Sequence, residues 1–198
     1  WMGDTLEGLA VAERIGERVV VMGTSTGGSM ALWLAAQPEV RERVDALLLI
    51  SPNLGLPDPR ARMLLWPWGG TVARLSQGPE RSWEPMNELQ ERYWTTRYPT
   101  EALLPLMAAV RRVEETDFRD IVAPVWIAYD RNDDVVDPLV TEARFPEFAS
   151  PWKVLRAVDA PEGGDPHVLA GDIVNPELTD VLLQEILDFL AAAPAKNP

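Results

Sequence analysis

Three short apolar runs punctuate the chain. Residues 18–22 carry Val19, Val20, Val21 and Met22 and stop at Gly23; residues 46–50 are wholly apolar and end at Ser51, Pro52 and Asn53. Residues 124–129 form a third such run, and 152–158, interrupted by Lys153 and Arg156, read as a further strand. Continuous apolar stretches of this length, closed by turn residues, predict strands buried on both faces, as in a parallel sheet. Helical patterns lie between them. Leu6, Leu9 and Ala12 recur at helical spacing within 5–15, and residues 29–37 form a second helix stopped by Pro38. A short helix is expected over 138–144. A final one runs over 176–192, with Asn175 as N-cap and Pro176 at its first position. Strands separated by helices predict an α/β fold: a mostly parallel sheet of about four strands, flanked by helices.

The rhythm breaks between residues 54 and 120. That interval holds Trp66, Trp68, Trp83 and Trp94 among several prolines. Its clearest helix covers 101–115, with Thr100 as N-cap, and Pro105 calls for a later start or a kink. The interval reads as a helical lid, 54–120, inserted into a core made of 1–53 and 121–198. Its tryptophans are expected to fill the interior of that small cap. The sharper alternative is an apolar substrate pocket.

Composition narrows the partners. A chain of 198 residues is long enough for one domain with a real core. A net charge of −13 repels phosphate backbones and anionic bilayers, so neither nucleic acid nor a membrane surface is an expected partner. No apolar run approaches the ~18 residues that span a bilayer, so no stable membrane insertion is expected. The absence of cysteine excludes disulfides and thiolate metal sites, and a lone histidine argues against a transition metal. No cofactor is implied.

The chemistry concentrates in three places. Gly23-Thr24-Ser25-Thr26-Gly27 is a G-x-S-x-G motif between a predicted strand and a predicted helix. A sharp strand-to-helix turn strains its central residue and demands small neighbours two before and two after. Gly23 and Gly27 meet that demand, and Gly28 would let the helix pack close to the strand. Ser25 would then project at a helix N-terminus, where amides favour negative charge, with the Thr26 backbone amide as an oxyanion donor. A phosphate-binding turn fits less well, because neither G-x-G-x-x-G nor G-K-[ST] is present. His167 is the one available base and lies in a Gly/Pro-rich loop before the last helix. The order serine, acid, histidine fits this class of site. For the acid, Asp133 is favoured over Asp134, then Asp130 and Asp137; a merely solvated acidic turn is the plain alternative. Asp165 and Asp172 flank His167 and read as loop residues.

With these residues in view, the chain resembles the α/β-hydrolase superfamily, in its lidded esterase, monoglyceride-lipase and serine-aminopeptidase-like branch. The matching pieces are 21–28, 132–138 and 166–171. The resemblance implies Ser25 as nucleophile, Asp133 as acid, His167 as base and residues 54–120 as lid. It also implies a small-molecule apolar ester or acyl substrate, cleaved through an acyl-enzyme. Peptidases, thioesterases and acyltransferases share that triad, and a binding protein on a degenerate site is the alternative of another class. One departure stands out. The family places several strands, and a His-Gly loop with a second oxyanion donor, before the nucleophile strand. Only a helix and a strand fit before Ser25 here. The nucleophile strand is therefore expected at an exposed sheet edge. The native product is expected to be longer by roughly 60–100 residues. The present chain alone, short of one donor, should be poorly active, since such a loss costs about 10²–10³ in turnover.

Overall fold

The computed structural model describes residues 1–55 and 59–194. The elements run α1 (Met2–Ile15), β1 (Val20–Thr24), α2 (Thr26–Ala35), β2 (Ala46–Ile50), α3 (Gly69–Gln77), β3 (Glu80–Ser82), α4 (Glu88–Tyr93), β4 (Arg97–Pro99) and α5 (Leu103–Glu114). They continue with β5 (Val125–Tyr129), α6 (Pro138–Arg144), β6 (Lys153–Ala157) and α7 (Pro176–Ala192), and short 3₁₀ turns link several of them. The main sheet has the order β1-β2-β5-β6, and every pairing in it is parallel. The α/β architecture with about four parallel strands is therefore as the apolar runs predict.

Continuous apolar runs work because the sheet separates two cores. Leu47, Leu49, Val125 and Ile127 point to a cluster built with α2, α5 and Phe118. Their alternates Ala46, Leu48, Ile50, Trp126 and Ala128 point to the other face, where Leu182, Ile186 and Phe189 of α7 cover them. Leu47, Leu49 and Ile127 are completely buried, and each contributes about 1.5–3 kcal/mol by leaving water. β1 lies at the sheet edge, as expected, but the expectation that it is buried on both faces is corrected: Val20 and Met22 are exposed.

Several local expectations are corrected. α2 begins at Thr26 instead of 29 and ends before Pro38, so the glycine motif itself forms its first turn. Thr100 does not cap α5; its hydroxyl donates to the Gly78 carbonyl (2.8 Å), and a 3₁₀ turn over Thr100–Ala102 leads into the helix. α5 starts at Leu103, which puts Pro105 in the first turn, where its missing N–H costs nothing. Arg144 fixes the other end of α5, donating to the carbonyls of Val113 (3.1 Å) and Thr116 (2.8 Å) and lying over the Phe118 ring.

Between β2 and β5 the chain makes its long excursion. The expected span 54–120 includes residues 56–58, which lie outside the described residues. The excursion is not all helical: β3 and β4 pair antiparallel as a small separate ribbon. Nor do its tryptophans all fill an interior. Trp66 and Trp68 are 64% and 77% exposed, and Trp83 meets Trp94 edge-on at its margin. Among the described residues no helix is long and apolar enough to cross a membrane.

Candidate active site

All four strands of the main sheet run the same way, so their carboxyl ends share one rim, the usual ligand edge of an open α/β sheet. Ser25 stands there, directly after β1. Its N–H continues the ladder to the Ile50 carbonyl (2.9 Å), and it is the N-cap of α2 with φ 54° and ψ −124°. A left-handed φ on a serine is strained backbone, held only because its surroundings over-determine it. The Ser25 carbonyl accepts from the N–H groups of Ser29 (3.2 Å) and Asn53 (3.1 Å), and the Ser29 hydroxyl donates to the Asn53 carbonyl (2.5 Å). The turn after β2 thereby braces the bend.

The glycines divide the work differently than the motif suggests. A Cβ on Gly23 would lie 2.5 Å from the Gly27 carbonyl carbon and 2.6 Å from the Gly28 nitrogen. One on Gly28 would meet Pro52 Cβ at 3.0 Å and the Gly23 carbonyl oxygen at 3.2 Å. Gly27 is unconstrained: a Cβ there would meet nothing within 4 Å. Small size is required of Gly23 and Gly28, and the expectation for Gly27 is corrected.

Of the aspartates after β5, Asp133 is the one that reaches His167. Its Oδ2 lies 2.7 Å from His167 Nδ1. Its Oδ1 accepts from the N–H groups of Val135 (2.9 Å) and Val136 (3.0 Å). The carboxyl is 1% exposed, so these bonds offset the cost of burying it. A carboxylate only accepts, so the proton of this contact sits on Nδ1, and in the neutral ring the lone pair is on Nε2. The other three have separate duties. Asp130 is buried and accepts from Asn132 N–H (2.8 Å) and Ala160 N–H (2.7 Å), tying the acid turn to the segment after β6. Asp137 caps α6 through Leu139 N–H (2.9 Å), and Asp134 is exposed. Beneath this turn the Tyr129 hydroxyl donates to Glu142 (2.5 Å), which also accepts from Arg131 (2.9 Å). Burial, reinforced by the Glu142 carboxylate, pushes the Tyr129 phenol up.

His167 sits on a tightly organised turn. Asp165 Oδ1 accepts from the N–H groups of His167 (2.8 Å) and Val168 (3.1 Å), the side-chain-to-backbone turn that Asp favours. The Asn175 side chain, expected to cap α7, makes no cap bond. It donates through Nδ2 to the carbonyls of Asp165 (2.7 Å) and Val168 (2.6 Å). Asn87 of the excursion, which caps α4 through Gln90 N–H (2.9 Å), donates to the Ile173 carbonyl (2.7 Å) just beyond the histidine turn. The aspartate-x-histidine spacing could have flagged Asp165; nothing in the sequence signals the bonds of Asn175 or Asn87.

The rim thus carries the Asp133–His167 pair at one place and Ser25 at another, with β2 lying between β1 and β5. Among the described residues the Ser25 hydroxyl makes no hydrogen bond, and no group of three His, Cys, Asp or Glu is placed to hold a metal ion.

Comparison with known proteins adds an independent line. The model of the Alpha/beta hydrolase family matches residues 3–176. Compared by sequence with curated proteins, the chain has no match. Solved structures are similar in fold at low identity. One, from work on the metagenome-derived lipolytic enzymes LipS and LipT, has a TM-score of 0.76 at 18% identity, over 96% of this chain and 72% of that one. A monoacylglycerol lipase of Paleococcus ferrophilus has a TM-score of 0.66 at 17% identity, over 96% and 76%. A soluble variant of Saccharomyces cerevisiae monoglyceride lipase, in complex with a substrate analog, has a TM-score of 0.65 at 14% identity, over 99% and 69%.

Proposed function

Because the chain belongs to the alpha/beta hydrolase family, we propose that it is a serine hydrolase that cleaves carboxylic esters with an apolar acyl or alcohol part. Ser25 is the nucleophile, His167 the general base and Asp133 the group that orients it. The observation that carries this reading is the buried 2.7 Å contact between Asp133 and His167 Nδ1, on the same rim as the strained Ser25 bend. It leaves Nε2 free to accept a proton.

The steps follow. With an ester bound, Ser25 Oγ comes within reach of His167 Nε2; catalytic hydrogen bonds commonly tighten only in the substrate complex. Oγ attacks the carbonyl carbon as Nε2 takes its proton, and the Asp133 carboxylate stabilises the imidazolium. The Thr26 N–H, at the start of α2, donates to the oxyanion. The tetrahedral intermediate collapses, His167 gives its proton to the departing alcohol, and water releases the acyl group by the reverse sequence. Residues 54–120 act as the lid, with Asn87 tethering it beside the histidine turn. The two monoglyceride lipases among the similar structures support an ester over an amide.

A fluorophosphonate probe and a panel of p-nitrophenyl esters of increasing acyl length test the reading. With the Thr26 N–H as the one oxyanion donor named, the chain should be labelled and should turn over the esters slowly. Ser25→Ala should abolish both; labelling that survives the substitution removes Ser25 from the nucleophile's role.

A further inference from the structure

We propose that Asn175 is a positioning residue for the His167 imidazole: a buried amide clamp that sets where the base stands. This rests on the Ser25–His167–Asp133 reading above and extends it to a residue that reading does not use.

The two N–H bonds of one amide go to the carbonyls of Asp165 and Val168, on either side of His167. Asn175 is completely buried. Two ordinary preferences are given up to make this clamp. An N-cap asparagine normally turns its oxygen to the free amides of the helix start, and here it does not. Its Oδ1 is also buried without a partner among the described residues, a costly condition. That oxygen lies against Gly164, where a Cβ would come within 2.1 Å of it, so a side chain there would displace the amide. Local rules broken together at one buried residue mark a functional constraint.

The clamp is anchored from behind. Asn175 N–H donates to the Gly171 carbonyl (3.0 Å), and Thr179 Oγ1 donates to the Asn175 carbonyl (3.0 Å) while accepting from Gly171 N–H (2.9 Å). α7 in turn is packed on the sheet through Leu182, Ile186 and Phe189. The histidine turn is therefore referenced to the same sheet that carries Ser25. With the backbone fixed by Asn175 and Asp165, and Nδ1 fixed by Asp133, Nε2 keeps one direction.

His167 is the single histidine of the chain, so its ring signals in a histidine-labelled ¹⁵N NMR spectrum identify themselves. The test compares the full chain with Asn175→Ala, reading ring-nitrogen shifts and their pH titration, kcat and KM on a p-nitrophenyl ester, and fold by circular dichroism. Asn175→Ala should stay folded, lose the distinct Nδ1-protonated signature and lower kcat by about ten- to a hundredfold with KM little changed. Glu177→Ala, an exposed change in the same helical turn, should leave the ring signals as they are. Wild-type ring signals and kcat in Asn175→Ala, even with a lower melting temperature, overturn the proposal. If Asn175→Ala does not fold, Asn175→Ser carries the same measurements. Failure of both to fold makes Asn175 a structural residue and equally overturns it. Should the wild type neither label nor hydrolyse, the proposed function fails on its own, while the ring spectra still decide the clamp.

Discussion

Two glycines flank Ser25, and the structure assigns them opposite tolerances. An alanine Cβ at position 23 would stand 2.5 Å from the Gly27 carbonyl carbon, 2.6 Å from the Gly27 oxygen and 2.6 Å from the Gly28 nitrogen. Non-bonded carbon atoms rest at about 3.5–4.0 Å, so the bend must open by about 1 Å. The strand cannot yield, because Gly23 is in register with Leu49 and the Ser25 N–H is bonded to Ile50. The first turn of α2 must move, and it carries the Thr26 amide. Overpacking of this kind costs about 1–3 kcal/mol. In a chain of this size that lowers the melting temperature by roughly 2–12 °C. A displacement of about 1 Å beside the reacting atoms should lower ester turnover by about a hundredfold. Gly27→Ala is the counter-case: its Cβ meets no atom within 4 Å. Removing a helical glycine should then stabilise by up to about 1 kcal/mol. Thermal melts of the two variants decide the matter. If Gly27→Ala destabilises as much as Gly23→Ala, or if Gly23→Ala melts with the wild type, the steric account of the bend is wrong.

Two further outcomes follow from the same geometry. In Asp133→Asn the oxygen can still accept from Val135 and Val136, which turns the new NH₂ towards His167 Nδ1. The ring then carries its proton on Nε2, and turnover should fall by about 10⁴, whereas the exposed Asp134→Asn should change kcat little; equal effects of the two would reverse the assignment of the acid. Away from the site, the Arg119 guanidinium, then its backbone N–H, holds the Asp117 carboxyl down at about 2. A lowered native value means the unfolded chain binds the proton more tightly. The pair's support for the fold is therefore present above about pH 4 and lost as pH falls towards 2. A ¹³C carboxyl titration should find the low midpoint in the wild type and an upward return in Arg119→Gln; an ordinary midpoint in the wild type contradicts the contact.

The parts of the fold that were legible in the sequence are those whose residues face apolar surroundings on both sides. Ala46–Ile50 and Val125–Tyr129 are uninterrupted because each supplies both cores of the sheet. β3 was illegible for the converse reason: Glu80, Arg81 and Ser82 are all exposed, so no alternation marks the ribbon. The tryptophans misled because large aromatics are normally read as interior, while Trp66 and Trp68 face outward. At the site, the serine and histidine segments carry local signatures of spacing and turn chemistry. Asp133 is already favoured over its neighbours in the sequence; what the fold adds is burial and reach, which residue type could not show. Asn175 was legible as a helix start and illegible as a clamp, because its partners lie seven and ten residues back through a loop.

The all-parallel order of the main sheet has a consequence for how the chain reaches its working form. Parallel neighbours cannot zip up from a tight hairpin; each must wait for an intervening helix or loop to close, which makes such sheets slow to assemble. The serine bend is framed by the earliest strand pair, while the histidine turn hangs on the last strand and the last helix. The proposed reactivity therefore requires both ends of the sheet to be in place, which makes it a reporter of whether the carboxy-terminal segment has docked.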